Sequence, residues 1–170
     1  MERFHLINQT DDNTEFLGMD EFWQSISKNT SMNSQNKFTP FEDKLDFFYI
    51  CLLIGLKNET KDDLSKYKIV ANDQIIDKWT RKLRESKAVD YIIGLYLSKS
   101  TKHCKNEKSK INIILNKILD HNSDTKLSKD GMLEIHEYAL GGYKLILRDL
   151  ENKTPSTLVK FFNIIYNLVK

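Results

Sequence analysis

The sequence predicts an all-α protein, a single compact domain of five to seven helices with a partly irregular N-terminal segment. Five segments repeat apolar residues at the three- and four-residue steps of a helix, whereas the alternating pattern of strands is scarce. Only six glycines and two prolines interrupt the 170 residues. A chain of this length buries a sizeable core as one domain and needs neither a metal ion nor a disulfide to fold.

The N-terminal part differs in composition from the rest. We therefore divide the chain into an N-terminal segment, residues 1–38, which we expect to be partly flexible, and a helical domain, residues 39–170. A short helix is expected around residues 19–26, where Phe22 and Trp23 lie. The stretch from 24 to 36 is rich in Asn, Ser, Thr and Gln, a composition typical of a flexible connector.

The helix predicted to begin at Pro40 is expected to be the central one. Thr39 would be its N-cap, and Glu42 would complete a capping box. The apolar stripe continues to Lys57 and becomes apolar nearly all round in its second half. The expected core seam of this helix comprises Phe48, Leu52 and Leu56.

The same periodicity predicts further helices over residues 74–84, 89–97, 108–119 and 129–151, and a last helix that starts at Thr154-Pro155. Ser128 is the expected N-cap of the helix over 129–151. Its Gly141-Gly142 pair would cost roughly 1 kcal/mol per glycine in an exposed helix. We therefore expect either a kink or a close helix crossing at this pair.

Positive charge is concentrated in one window of the chain. Ten of the 26 Lys and Arg residues lie between positions 78 and 110, together with only three acidic residues, although the whole chain carries a net charge of +2. Clustered cations attract phosphate groups or the acidic face of a protein. The candidate nucleic-acid or partner-binding residues are Lys78, Arg81, Lys82, Arg84, Lys87, Lys99, Lys102, Lys105, Lys108 and Lys110.

The basic window lacks any motif that reads bases, so contact with nucleic acid would be to phosphates alone. The same charges would serve equally well for docking against an acidic protein. A solvated lysine-rich surface, balanced by acids elsewhere in the fold, also explains the pattern. All three interpretations remain open from the sequence.

No motif predicts a catalytic residue, a metal ligand or a cofactor. The glycine-rich patterns that cradle nucleotide phosphates are missing, and no pair of His or Cys residues has zinc-binding spacing. We interpret Cys104 as an exposed cysteine in a basic loop, and the cluster from Glu134 to Glu137, which includes His136, as a solvated helix surface. Asp62-Asp63 is interpreted as the start of a short helix rather than a magnesium site.

The cellular location expected from the sequence is the cytoplasm. The two cysteines, Cys51 in an apolar run and Cys104 among lysines, lie in such different surroundings that we expect a reduced, intracellular protein. The longest apolar run, residues 47–56, is about half the length that spans a bilayer, so no membrane contact is expected.

Two segments share a recognisable pattern. In residues 41–61, FEDKLDFFYICLLIGLKNETK, an aromatic-rich helix runs into Gly55-Leu56-Lys57-Asn58, and residues 133–151 contain Glu137-Tyr138-Ala139-Leu140-Gly141-Gly142. This pattern resembles that of small accessory proteins encoded beside bacterial DNA phosphorothioation (Dnd-type) and related DNA-defence systems. The resemblance implies a cytoplasmic, all-helical component of an antiphage or restriction assembly that acts beside larger enzymes.

The sequence and the resemblance together predict a non-enzymatic accessory subunit of a bacterial antiphage or restriction-type complex. Its partners would be the other proteins of the complex, and the basic window would contact either DNA, through phosphates, or an acidic partner protein. The alternative is a small metal-dependent nuclease or toxin whose carboxylates converge only in the fold. Metal-stimulated cleavage would distinguish the alternative from the accessory subunit.

Overall fold

A computed structural model describes residues 17–28, 41, 44–67, 88–105 and 107–170. These residues are 73% helical and contain no strand, so the predicted all-α fold is confirmed. The six α-helices are α1 (Met19–Lys28), α2 (Lys44–Lys57), α3 (Ala88–Thr101), α4 (Lys108–Ile118), α5 (Lys129–Asp149) and α6 (Leu158–Val169). Two short 3-10 helices occupy Leu64–Lys66 and Lys102–Cys104.

Several predicted boundaries agree with the structure. α4 and α5 begin at the predicted residues and end within two residues of the predicted ends. Ser128 is the N-cap of α5, and its hydroxyl oxygen accepts a hydrogen bond from the backbone N–H of Gly131 at 3.1 Å. α3 continues four residues beyond its predicted end, and Gly94 lies inside it without interrupting the helix. The helix predicted over 74–84 lies outside the described residues.

The predicted start of the last helix is wrong by three residues. Its N-cap is Thr157 rather than Thr154, because Thr157 has the extended backbone of a cap and its hydroxyl accepts a hydrogen bond from the N–H of Lys160 at 3.2 Å. Pro155 is buried in the preceding loop instead of opening the helix. The predicted start of α2 at Pro40 is also too early, because Phe41 is not helical and the helix begins at Lys44. The residues of the predicted cap, Thr39, Pro40 and Glu42, lie outside the described residues.

Helix α2 is the centre of the core, as predicted. It packs along α5, and Phe48, Leu52 and Leu56 are each at most 1% exposed, which confirms the predicted seam. Although α2 is mostly apolar, neither it nor any other helix in the described part of the chain has the length and apolar character needed to cross a membrane.

The glycines of α2 and α5 let the two helices touch backbone to backbone. A Cβ atom added at Gly142 would lie 1.9 Å from the carbonyl oxygen of Cys51, and one at Gly55 would lie 1.9 Å from the carbonyl oxygen of Tyr138. Neither distance is compatible with a side chain. Of the two outcomes predicted for the Gly141-Gly142 pair, the close crossing is therefore correct, and α5 continues through it without a break.

Helix α1 belongs to the same core. Phe22 stacks on Phe47 with 5.5 Å between ring centroids and contacts Tyr143 edge-on. The Tyr143 hydroxyl donates a hydrogen bond to the carbonyl oxygen of Leu17 at 2.7 Å. Residues 24–28, the beginning of the predicted connector, are helical in the structure, and the rest of that stretch lies outside the described residues. The domain boundary at residues 38 and 39 stays a prediction.

Candidate functional site

Half of the predicted binding residues lie in one short region, residues 99–110, which we call the α3–α4 junction. The five residues in this region are Lys99, Lys102, Lys105, Lys108 and Lys110. All of them are exposed except Lys99, which is partly buried. The other five candidates, Lys78, Arg81, Lys82, Arg84 and Lys87, lie outside the described residues.

The turn between α3 and α4 determines which side chains point outward. After α3, the 3-10 helix Lys102–Cys104 leads to Lys105, whose left-handed backbone (φ 42°) redirects the chain towards α4. Lys102 and His103 are exposed, whereas Cys104 points inward and is only 6% exposed. The interpretation of Cys104 as an exposed cysteine is therefore wrong, because a tight 3-10 turn directs successive side chains to different sides.

The lysines of the junction differ in their partners. Lys99 and Lys102 both contact the carboxylate of Glu59, and Lys110 pairs with Glu107 at 2.9 Å across one turn of α4. Within the described residues, Lys105 and Lys108 make no ion pair. The outward surface of the junction therefore carries the charges of Lys105 and Lys108, which no carboxylate of the described residues pairs.

A cavity of about 290 Å³ opens beside the junction. Three parts of the fold build it: the loop after α2, the end of α3 with its 3-10 helix, and the first half of α5. The lining residues are Glu59, Lys61, Lys99, Ser100, Lys102, His103, Glu134 and Tyr138. Three lysines thus face two glutamates, with a histidine and two hydroxyl groups among them.

Glu59 forms the rim of the cavity on the side of the junction. It lies in the loop that follows α2, in the left-handed region of the backbone (φ 54°). Its carboxylate lies 3.1 Å from the Nζ atom of Lys99 and also contacts Lys102. Hydrogen bonds from Lys102 and then from Lys99 lower the pKa of Glu59 to about 2. The Glu59 carboxylate is therefore ionised at neutral pH.

Glu134 forms the opposite wall. One of its carboxylate oxygens accepts a hydrogen bond from the Tyr96 hydroxyl, and the other contacts the Nζ atom of Lys61. The Lys61 ammonium group also lies 4.6 Å from the centroid of the Tyr138 ring. Burial, followed by the hydrogen bond to Glu134, raises the pKa of Tyr96, which keeps its hydroxyl protonated as a donor.

The prediction of a solvated cluster from Glu134 to Glu137 is wrong for three of its residues. Glu134, which contacts Lys61 and Tyr96, and Glu137 are partly buried, and His136 is completely buried. The Nδ1 atom of His136 lies 2.7 Å from the carbonyl oxygen of Met132, and its ring packs against Phe48. The helical phase of α5 explains the difference, because His136 lies on the face that contacts α2.

The aspartates considered as magnesium ligands have other partners. Asp62 contacts Lys144 and accepts a hydrogen bond from the Tyr67 hydroxyl at 3.0 Å. Asp63 caps the 3-10 helix Leu64–Lys66 by accepting a hydrogen bond from the N–H of Ser65, which confirms the predicted helix start. In the part of the chain that the structure describes, no three His, Cys, Asp or Glu residues are grouped so that they could hold a metal ion.

The cavity was only partly predictable. Lys99 and Lys102 belong to the predicted basic window, but Glu59, Lys61, Glu134 and Tyr138 were not predicted as site residues. The pairing of Lys99 with Glu59 spans 40 positions and that of Lys61 with Glu134 spans 73. No periodic pattern in the sequence connects residues at such separations.

Comparison with known proteins adds no further constraint on the function of these groups. No protein-family model, no curated protein and no solved structure matches this chain.

Proposed function

We propose that the protein is a cytoplasmic, non-enzymatic accessory subunit of a bacterial antiphage or restriction-type complex, and that the α3–α4 junction contacts DNA or an acidic partner protein. The observation that carries the proposed contact is the group of three outward lysines at this junction, Lys105, Lys108 and Lys110. The assignment to a defence complex rests on the resemblance of residues 41–61 and 133–151 to Dnd-type accessory proteins.

The charges at the junction suit a phosphate backbone or a carboxylate-rich surface. Lys105 and Lys108 have no ion pair within the described residues, so an incoming anion would meet them without displacing a carboxylate. Both side chains of the ion pair between Lys110 and Glu107 are exposed, and exposed ion pairs contribute little to stability. A phosphate group can therefore compete for Lys110 as well.

The test for DNA is a charge reversal confined to the junction. Lys105→Glu, Lys108→Glu and Lys110→Glu are combined in one variant, and binding to a mixed-sequence duplex is measured at several salt concentrations. If all three lysines contact phosphates, affinity falls for every duplex sequence. The slope of log affinity against log salt should then become shallower by about three, because each phosphate contact contributes about 0.9. A matched control reverses three exposed lysines elsewhere, Lys129, Lys153 and Lys160, and should bind as the wild-type protein does.

The test for a protein partner uses the same two variants. Tagged wild-type protein and both variants are expressed in the native host, and co-purifying proteins are identified by mass spectrometry. Loss of an acidic partner from the junction variant alone, without DNA affinity in the wild-type protein, would support the protein contact. Equal behaviour of both variants in both assays would contradict the proposed face. Metal-stimulated DNA cleavage by the wild-type protein would contradict the non-enzymatic role.

A further inference from the structure

We propose that the cavity beside the α3–α4 junction binds a small phosphate monoester, and that the Glu59 carboxylate occupies the position that the phosphate would take. A carboxylate in contact with two lysines is a chemical analogue of a phosphate group held by the same lysines. The inference is independent of the proposed DNA or protein contact, because it concerns Lys99 and Lys102 on the cavity wall rather than the outward Lys105, Lys108 and Lys110.

The wall near Glu59 carries a further potential donor. Lys99 and Lys102 supply two ammonium groups, and the exposed His103 lies beside them in the cavity lining, whereas the hydroxyl oxygen of Ser100 is buried. A phosphate monoester carries a charge of about −1.5 to −2 at neutral pH and has three strong acceptor oxygens. The end of α3 contributes a partial negative charge of about one half, which the two lysines outweigh.

Glu59 can leave this position at little cost. Its side chain is 46% exposed and lies on a loop, so the carboxylate can move into solvent without opening the core. Glu59 and Lys102 are both exposed, and such a pair contributes little to stability because water and salt screen both charges, whereas the pair with the partly buried Lys99 is screened less. A doubly charged phosphate therefore competes favourably with the single charge of the carboxylate for the same two lysines.

The opposite wall indicates what the phosphate is attached to. The Glu134 carboxylate already accepts hydrogen bonds from Tyr96 and Lys61, but a carboxylate has about four acceptor sites, so it can also accept from a ligand hydroxyl. The cavity of about 290 Å³ is near the lower limit for ligand pockets. These features fit a small phosphorylated molecule with hydroxyl groups, such as a sugar phosphate or a nucleoside monophosphate.

The ligand class is tested by calorimetric titration of the full chain with four probes: inorganic phosphate, ribose 5-phosphate, adenosine monophosphate and ribose. Ribose 5-phosphate or adenosine monophosphate should bind more tightly than inorganic phosphate, and ribose should show no binding. The monoester that binds more tightly indicates whether the phosphate is attached to a sugar or to a nucleoside. Inorganic phosphate binding as tightly as both monoesters, or ribose binding as tightly as ribose 5-phosphate, would overturn the monoester class.

Three variants locate the binding in the cavity. Replacing both wall lysines, Lys99→Gln with Lys102→Gln, should weaken monoester binding about tenfold or more, since charged hydrogen bonds are lost. Glu59→Gln removes the competing charge and should strengthen binding by about threefold or more. The control, Lys105→Gln with Lys108→Gln, removes the same charge outside the cavity and should change affinity by less than about twofold. No monoester binding to either the wild-type protein or the Glu59→Gln variant, or equal binding by the wall and control variants, would overturn the proposal.

Discussion

Helix α5 makes two different kinds of contact along its length. In its second half, Gly142 meets α2 backbone to backbone, so closely that no Cβ atom fits. In its first half, Glu134 contacts Lys61 and Tyr96 through side chains at the edge of a cavity. The crossing depends on glycines, which have no side chain, and the cavity depends on long, charged side chains.

The two regions should therefore respond differently to substitution. A backbone contact cannot adjust by rotating a side chain, so an added atom at the crossing must move a whole helix. The groups around the cavity are partly exposed and can change rotamer or gain water. We expect substitutions at the crossing to change the free energy of unfolding, and substitutions around the cavity to change binding with little effect on stability.

Gly142→Ala should have the largest effect on stability. Alanine favours a helix by about 1 kcal/mol over glycine, but its Cβ would lie 1.9 Å from the carbonyl oxygen of Cys51 and 2.6 Å from the nitrogen of Gly55. Overpacking typically costs about 1–3 kcal/mol, and two rigid backbone contacts place the expected loss above about 3 kcal/mol. Urea unfolding measures this loss.

The matched control is Gly94→Ala in α3. Gly94 is also inside a helix, but no atom lies within 4 Å of the position that its Cβ would take. The substitution therefore changes only the helix propensity, which favours alanine over glycine, and it should stabilise the protein by about 0.5–1 kcal/mol. If both alanine variants changed stability equally, the crossing would not be the tight contact described above.

Leu52→Ala tests the apolar side of the same helix pair and should have the second largest effect. Leu52 is completely buried in the seam of α2. Removing its side chain leaves a cavity as well as losing buried apolar surface, and such substitutions cost about 2–5 kcal/mol. A loss below about 0.5 kcal/mol in urea unfolding would be typical of a surface residue and would contradict the central position of this seam.

The crossing was largely predictable from the sequence because its determinants are local. Helical periodicity gave the helices, Ser128 has the chemistry of an N-cap, and two adjacent glycines inside a helix indicated a kink or a close crossing. The start of α6 was missed because Thr154 and Thr157 are both capable caps. The choice between them depends on the burial of Pro155 in the loop, which is a tertiary effect.

The cavity was mostly unpredictable because it joins residues from separate elements. A cluster of lysines indicated Lys99 and Lys102, but nothing in the sequence relates them to Glu59 or to Glu134. The burial of His136 could have been predicted, since it shares one helical face with the apolar Met132 and Ala139. Because Glu134 and Glu137 are close to it in the sequence, His136 was interpreted as part of a solvated surface.

Asp62→Asn should have the smallest effect, and the effect should be confined to acidic pH. Asp62 joins the loop after α2 to Lys144 of α5. Burial acts to raise the pKa of Asp62, but the hydrogen bonds from Lys144 and Tyr67 outweigh it and hold the pKa below its ordinary value. A carboxylate with a lowered pKa in the folded state contributes stability above its unfolded value of about 3.9. That stability is lost as the pH falls through the folded pKa. Between about pH 6 and pH 3 the free energy of unfolding, measured with urea, should therefore fall more for the wild-type protein than for the variant. The difference should be less than about 1 kcal/mol because the pair is partly exposed.

Asp124→Asn is the control, since Asp124 is exposed and has no ion pair among the described residues. If the pH profile of Asp62→Asn differed from that of the wild-type protein no more than the control does, the ion pair with Lys144 would not stabilise the fold.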